Sequence, residues 1–174
     1  MTPEPRPGLP EETPPEAELL PATSLPGLIV TPLRPHQDDR GFLLELLRCD
    51  DPDFAGFGQV YLTTTYPGVV KAWHGHRHQT DQLCLVRGAI RLGLHDTRPD
   101  SPTVGQSAEL YLSARCPCRV VIPPGLLHGW RALGTEEAWV LNVPDQPYDP
   151  DQPDEERRPA HAPGFPFDWR VRDR

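Results

Sequence analysis

The sequence predicts an all-β fold, a sandwich or closed barrel of short strands, and three observations predict it. From Leu28 onward, short apolar runs recur at close spacing and are broken by glycine, proline and acidic turn residues. Ile90, Leu92 and Leu94 alternate with Arg91, Gly93 and His95, the period of a half-buried strand. No apolar stripe of helical period runs for the roughly ten residues that a helix assignment needs. Many short strands joined by Gly/Pro turns pack as two facing sheets or as a barrel.

Residues 1–26 stand apart from that pattern. They hold eight of the 24 prolines, several glutamates and few large apolar groups. Such a segment cannot bury enough surface to offset its conformational entropy, so a disordered tail is expected there. Residues 27–174 form the expected single domain, with a C-terminal extension. Strands are expected at Leu28–Val30, Phe42–Leu47, Gln59–Thr64 and Val69–His74, with the polar turn Asp38-Asp39-Arg40-Gly41 before the second. Gln82–Arg87 and Ala89–Asp96 make a hairpin around Gly88, followed by a proline-bounded loop at 98–103. Glu109–Ser113, Arg119–Ile122, His128–Leu133 and Ala138–Val143 complete the set. After Pro144 the chain turns acidic and proline-rich, then closes on Phe165, Phe167 and Trp169, whose rings are expected to dock on the body.

Composition narrows the partners. A net charge of −8 over 174 residues argues against nucleic acid or an acidic membrane surface. No apolar run approaches the ~20 residues of a spanning helix, and the N-terminus lacks the order of a secretory signal. A soluble, cytoplasmic protein is the expectation. Cys49, Cys84, Cys116 and Cys118 read as reduced thiols, because a chain of this size can build a core without disulfide staples.

The chemistry concentrates in Lys71–Gln82. His74, His76 and His78 fall at i, i+2 and i+4, which puts all three on one face of an extended segment. Imidazole suits both proton transfer near neutral pH and metal ligation, and the spacing leaves the two open. His36, His95 and His161 read as surface residues. Trp73 and Trp130 flank the histidine segments and serve either as sugar-stacking platforms or, more commonly for tryptophan, as core.

Two segments carry a resemblance. His76-Arg77-His78 with Gln82 and Gly88 is one, and Pro123-Pro124-Gly125-Leu126-Leu127-His128 is the other. Together they resemble the two signature segments of cupins, double-stranded β-helix barrels of the jelly-roll type. A closer likeness covers residues 28–169. It runs through Asp39-Arg40-Gly41-Phe42, Gln59, Gly68-Val69-Val70-Lys71 leading to His74, and Asp96-Thr97-Arg98. It continues through Ser101-Pro102-Thr103, Ile122-Pro123-Pro124-Gly125 with His128-Gly129-Trp130, and Asp168-Trp169. On these residues the chain resembles the dTDP-4-dehydrorhamnose 3,5-epimerase family, metal-independent cupins that act as homodimers on deoxy sugar nucleotides.

The resemblance implies a sugar-nucleotide epimerase in which His74 takes protons from carbons next to the C4 ketone. It implies substrate contacts for Arg40 (at the phosphates), Gln59, Lys71, Gln82 and His128. The family's further groups do not carry over. Its lysine falls at Gln82, its tyrosine at Leu141 and its C-terminal aspartate near His161-Ala162-Pro163, while the arginine before the base becomes Lys71. Tyr61, Tyr66 and Tyr148 are the phenols that could replace the acid. By family resemblance no cofactor is expected. The alternative is a metal-dependent cupin acting on another small molecule, with a Zn²⁺-, Fe²⁺-, Mn²⁺- or Ni²⁺-type ion held by His76, His78, Gln82 and His128, or by His74 in place of His76. A non-catalytic sugar-binding relative is the third reading.

Overall fold

The structure is a computed structural model and describes residues 20, 21, 24–163, 165 and 167–171. Most of the expected N-terminal tail therefore lies outside the described residues. Thirteen strands follow in order. They are β1 (Leu20–Pro21), β2 (Ile29–Pro32), β3 (His36–Asp38), β4 (Gly41–Leu43), β5 (Tyr61–Thr65), β6 (Val70–Gly75) and β7 (Asp81–Arg87). Then come β8 (Ala89–Asp96), β9 (Ser107–Ser113), β10 (Cys118–Ile122), β11 (Leu126–Leu133), β12 (Ala138–Asn142) and β13 (Glu156–Arg157). None of the described residues lies in an α-helix.

Two sheets face each other. One has the order β1-β9-β8-β11-β6-β13 and the other β2-β10-β7-β12-β5, while β3 and β4 form a separate hairpin. This is the jelly-roll cupin barrel that the sequence predicts. The core sits between the sheets. Ile90, Leu92, Leu94, Leu126 and Trp130 from the first meet Leu83, Leu85, Val120, Ile122 and Val140 from the second. Truncating any one of these leucines to alanine would cost about 2–5 kcal/mol, since a packed interior closes such a void only partly.

Three departures from expectation have local causes. The strand expected over Phe42–Leu47 stops at Leu43. Residues after it cross the outer face of the second sheet, tied down by polar anchors: Thr31 Oγ1 donates to Asp53 at 2.7 Å and Arg119 Nη1 to Asp51 at 2.7 Å. Second, β8 is buried on both faces beyond its first residue. Its outer side is covered by a second cluster of Trp73, Leu127, Phe167 and Trp169. Gly93 is the residue that lets those rings in: a Cβ there would lie 2.8 Å from both Phe167 and Trp169. Third, His95 is not on the surface. It lies under that cluster, 8% exposed, with Nδ1 at 2.8 Å from the Ser107 hydroxyl. The docking expected of Phe165, Phe167 and Trp169 is seen, Trp73 standing 4.9 Å from Trp169 and 5.3 Å from Phe167 between ring centroids.

Candidate active site

His74 and His128 are delivered to one point by two neighbouring strands. Pro123-Pro124-Gly125 makes the corner that starts β11, and Gly125 holds a φ of +79° that favours glycine. Three residues later His128 pairs directly with His74 of β6, and the two rings lie 4.1 Å apart between centroids. His128 is 1% exposed and sits behind His74. Its Nδ1 lies 3.1 Å from the Leu126 carbonyl oxygen. A carbonyl can only accept, so Nδ1 carries a hydrogen and the ring is held by it.

Strand parity supplies a further residue that no motif marks. In β7, Leu83 and Leu85 point into the core, and Asp81 shares their face. Asp81 is 1% exposed. Its Oδ2 stands 3.2 Å from His128 Nε2 and 3.4 Å from His76 Nε2. Its Oδ1 accepts from Gln79 Nε2 at 2.9 Å and from Asn142 Nδ2 at 2.7 Å. Burial pushes this carboxyl up, but the hydrogen bonds from His128 and His76 outweigh it and hold Asp81 well below the usual carboxylate range. For His76 burial is the largest single effect and pulls down, but the hydrogen bonds and charges of Asp81 and Asp154 together outweigh it, so its pKa is raised. His74 goes the other way: burial, then the neighbouring His128, lower it well below an ordinary histidine, against a smaller opposing pull from Asp81.

Gln82, one residue on, faces outward and away from the site. Its Oε1 accepts from the Ala55 N–H at 3.0 Å, and its Nε2 donates to the Gly56 and Val143 carbonyls at 2.9 and 2.7 Å. A one-residue step along a strand reverses the face, so the interior position assigned to Gln82 belongs to Asp81. The three-histidine face is also cut short. Strand β6 ends at Gly75, so His76 turns in behind it, 6.3 Å from His74 between ring centroids, while His78 lies exposed in the turn. The metal set His76, His78, Gln82 and His128 is therefore not brought together. Among the described residues, the group with ligand atoms within 4.8 Å of one another is His74, Asp81 and His128.

A cavity of about 730 Å³ opens in front of His74, within the range of small-molecule sites. Gln59, Tyr61 and Thr63 line one wall, Lys71, His74 and Trp130 another, and the segment 146–158 closes the side with Tyr148, Arg157 and Arg158. That segment is a strap. Asp154 accepts from the backbone N–H groups of Arg77, His78 and Gln79 at 3.0, 2.8 and 3.0 Å. His76 Nδ1 contacts the Asp154 carbonyl, and β13 pairs with β6 so that Arg157 stands opposite His74.

Of the expected substrate contacts, Gln59 and Lys71 line the cavity, and Lys71 Nζ donates to Thr63 Oγ1 at 3.2 Å. His128 is behind the wall. Arg40 is on the β3–β4 hairpin, its side chain 85% exposed and paired with Asp38, and it does not line its own chain's cavity. Leu141 has the opposite parity from Val140 and Asn142 and does not reach the site. Tyr66 lies outside the cavity, whereas Tyr61 and Tyr148 line it. His161 is exposed in a turn, and no aspartate near it reaches His74 among the described residues. Trp130 donates from Nε1 to Thr65 at 2.9 Å, and both tryptophans are core residues first, 1% and 4% exposed. Asp81 is recoverable in principle from strand parity, and of the three phenols that the sequence offers, Tyr61 and Tyr148 reach the cavity.

Known proteins resemble this chain over nearly all of its domain. A family model described as dTDP-4-dehydrorhamnose 3,5-epimerase matches residues 22–172. The spore coat polysaccharide biosynthesis protein SpsL of Bacillus subtilis is 38% identical over 145 residues, 83% of this chain and 96% of that protein. The dTDP sugar isomerase of Desulfovibrio desulfuricans G20 superposes with a TM-score of 0.80 at 34% identity, covering 86% of this chain and 94% of the other. NovW of Streptomyces spheroides, a 4-keto-6-deoxy sugar epimerase from the novobiocin gene cluster, gives a TM-score of 0.74 at 26% identity, covering 85% and 77%.

Proposed function

Because the chain belongs to the dTDP-4-dehydrorhamnose 3,5-epimerase family, we propose that it is an isomerase that inverts carbon next to the C4 ketone of a 4-keto-6-deoxy sugar nucleotide, with His74 as the base. The observation that carries this reading is His74 itself, a cavity-lining imidazole kept unprotonated at neutral pH by burial and by His128 behind it. Hydrogen on carbon beside a ketone is weakly acidic. Its removal needs a neutral base in place and a donor for the enolate oxygen. Lys71, on the same strand and in the cavity wall, is the ammonium available for that oxygen or for phosphate.

A homodimer belongs to the same proposal. Phe42 and Leu43 on the β3–β4 hairpin are 67% and 61% exposed, and Val60 and Leu62 beside and on the edge strand β5 are 54% and 46% exposed. A second copy covering this surface would also give Arg40 a site to serve, since it does not line the His74 cavity of its own chain. A cytoplasmic setting is proposed from the four free cysteines.

The test is solvent exchange. In D₂O with a dTDP-4-keto-6-deoxy sugar, the protein should place deuterium at C3 or C5, read by NMR. His74→Asn should abolish that exchange and leave the thermal midpoint near its starting value. No exchange by the unaltered protein would refute the reading, and binding without exchange would leave a sugar-binding role. One observation favours a second reading. His74, Asp81 and His128 hold their ligand atoms within 4.8 Å of one another, with the buried His128 Nε2 standing 3.2 Å from Asp81 Oδ2. A divalent ion there would act as a Lewis acid; sub-stoichiometric metal in protein purified without chelator would remove it.

A further inference from the structure

Inversion at carbon requires that a proton be taken from one face and returned to the other, and Leu141 cannot return it. We propose that Tyr61 is the acid, held by Asn142 so that its phenolic hydrogen points to the substrate. This rests on His74 being the base. The two residues come from opposite sheets: His74 from β6 of the six-stranded sheet, Tyr61 from β5 of the five-stranded one. Both line the same cavity. A sugar ring lying between them presents one face to the imidazole and the other to the phenol.

The hydrogen-bond donors fix which way the phenol works. The backbone N–H of Gln82 donates to Asn142 Oδ1 at 3.1 Å, which settles the orientation of that amide, because an N–H can only donate. Asn142 Nδ2 then has two hydrogens. One goes to Asp81 Oδ1 at 2.7 Å and the other to Tyr61 Oη at 2.8 Å. Tyr61 therefore accepts from Asn142, and among the described residues no hydrogen bond takes its own O–H. The phenol is an anchored donor with its proton unspent. Burial, with Asp81 and Glu155 nearby, raises its pKa against the pull of Asn142, so it is protonated at neutral pH. After it gives up the proton, the Asn142 N–H remains as a donor to the phenolate.

The register shows how the acid comes from here. Tyr61 is directly across from Asn142, and Leu62 from Leu141. The proposed acid thus stands on the edge strand next to β12, where the family resemblance puts the tyrosine position at Leu141. Tyr148 lines the cavity too, but from the strap and 61% exposed, and Tyr66 is 71% exposed outside it.

In the step proposed, the C–H bond breaks to His74 and its electron pair passes to the ketone oxygen as an enolate. The enolate then collapses, carbon takes the Tyr61 proton on the opposite face, and the ketone is restored. Solvent reprotonates the phenolate and takes the proton from His74, so no oxidant or co-reactant is needed.

Tyr61→Phe keeps the ring and deletes the proton. It should lower epimer formation by ~10²–10⁴-fold, the usual worth of a positioned acid. Deuterium should still enter the same carbon, now with retention of configuration, because His74 can remove and return it on one face. The readout is therefore a split between exchange and inversion, followed by NMR on one sample. Inversion at the original rate in Tyr61→Phe overturns the proposal, as does its loss in Tyr148→Phe alone. Loss of exchange together with inversion in Tyr61→Phe would make it a binding or packing residue and overturns it as well. Absence of exchange in the unaltered protein is a different failure, that of His74 as base, and this proposal would fall with it.

Discussion

Replacing Asp154 with alanine should unfasten the strap from the cavity while leaving the barrel folded. The carboxylate accepts three consecutive backbone N–H groups, those of Arg77, His78 and Gln79. Hydrogen bonds to a charged group are worth ~1.5–3 kcal/mol each where water cannot replace them. Arg77 and His78 are exposed, so water takes over most of their share. Gln79 is 8% exposed, and its N–H would be left poorly satisfied. The net cost of the substitution is then about 2–4 kcal/mol, concentrated on the contact between 76–79 and 149–158. Hydrogen exchange should show faster exchange at the amides of Arg77, His78, Gln79 and Trp73, the last of which donates to Arg158 across the β6–β13 pair. Because Arg157 stands opposite His74, loss of the strap also admits water to His74, and KM should rise. Asp154 is half-way to this variant at low pH. Burial raises its carboxyl somewhat, but the three N–H donors outweigh that and lower it. A lowered folded pKa contributes stability that is fully present above the unfolded value of ~3.9 and is lost as pH falls through the folded one. Strap protection should therefore fade below about pH 4 in the unaltered protein and be pH-independent in Asp154→Ala. Unchanged protection of residues 77–79 in the variant would refute the reasoning.

The remaining predictions concern residues the structure has reassigned. Gln82→Leu removes three hydrogen bonds and leaves the half-buried Ala55 N–H and the Gly56 and Val143 carbonyls without their partner, so stability should fall by about 2–4 kcal/mol in urea titration. The turnover of the folded protein should change only a few-fold; a kcat loss beyond ~10²-fold at unchanged stability, the loss expected of a positioned catalytic group, would return Gln82 to the site. Gly93→Ala would push a methyl against Phe167, Trp169 and Trp73, and should cost about 1–3 kcal/mol as overpacking. Limited proteolysis should then release the C-terminal segment; an unaltered melting curve and digestion pattern would contradict it. The Cys84 thiol is pushed up to about 12 by burial, whereas Cys49 and Cys116 are exposed. Thiol labelling followed by mass spectrometry should modify Cys49 and Cys116 in the native protein and reach Cys84 only on unfolding. Prompt native labelling of Cys84 would mean that residues 44–57 do not cover it.

What the sequence made legible was what repeats or punctuates. The jelly roll follows from strands marked by alternation and by turn residues, and Pro123-Pro124-Gly125 followed by His128 identifies a corner whose geometry needs those residue types. What stayed hidden depends on parity and on contacts between distant segments. Asp81 and Gln82 are adjacent polar residues at the start of one strand, and nothing local says which one faces inward. The answer comes from Leu83 and Leu85, whose parity Asp81 shares, and from the 55–56 backbone that claims Gln82 on the far side. The three-histidine stripe fails for a related reason: it presumes that the strand continues past Gly75, whereas Asp154, about eighty residues later, captures the amides of the turn instead. Tyr61 is one of three phenols the sequence offers, and what singles it out on the other wall is again a distant contact. Its importance lies in being opposite Asn142, a register set by the whole β5–β12 pair. The departures from the family pattern thus form one connected change rather than separate losses. An interior aspartate in β7 places a carboxylate beside His128, the Asn142 amide bridges that carboxylate to a phenol on the edge strand, and the base and acid proposed here line one cavity from opposing sheets.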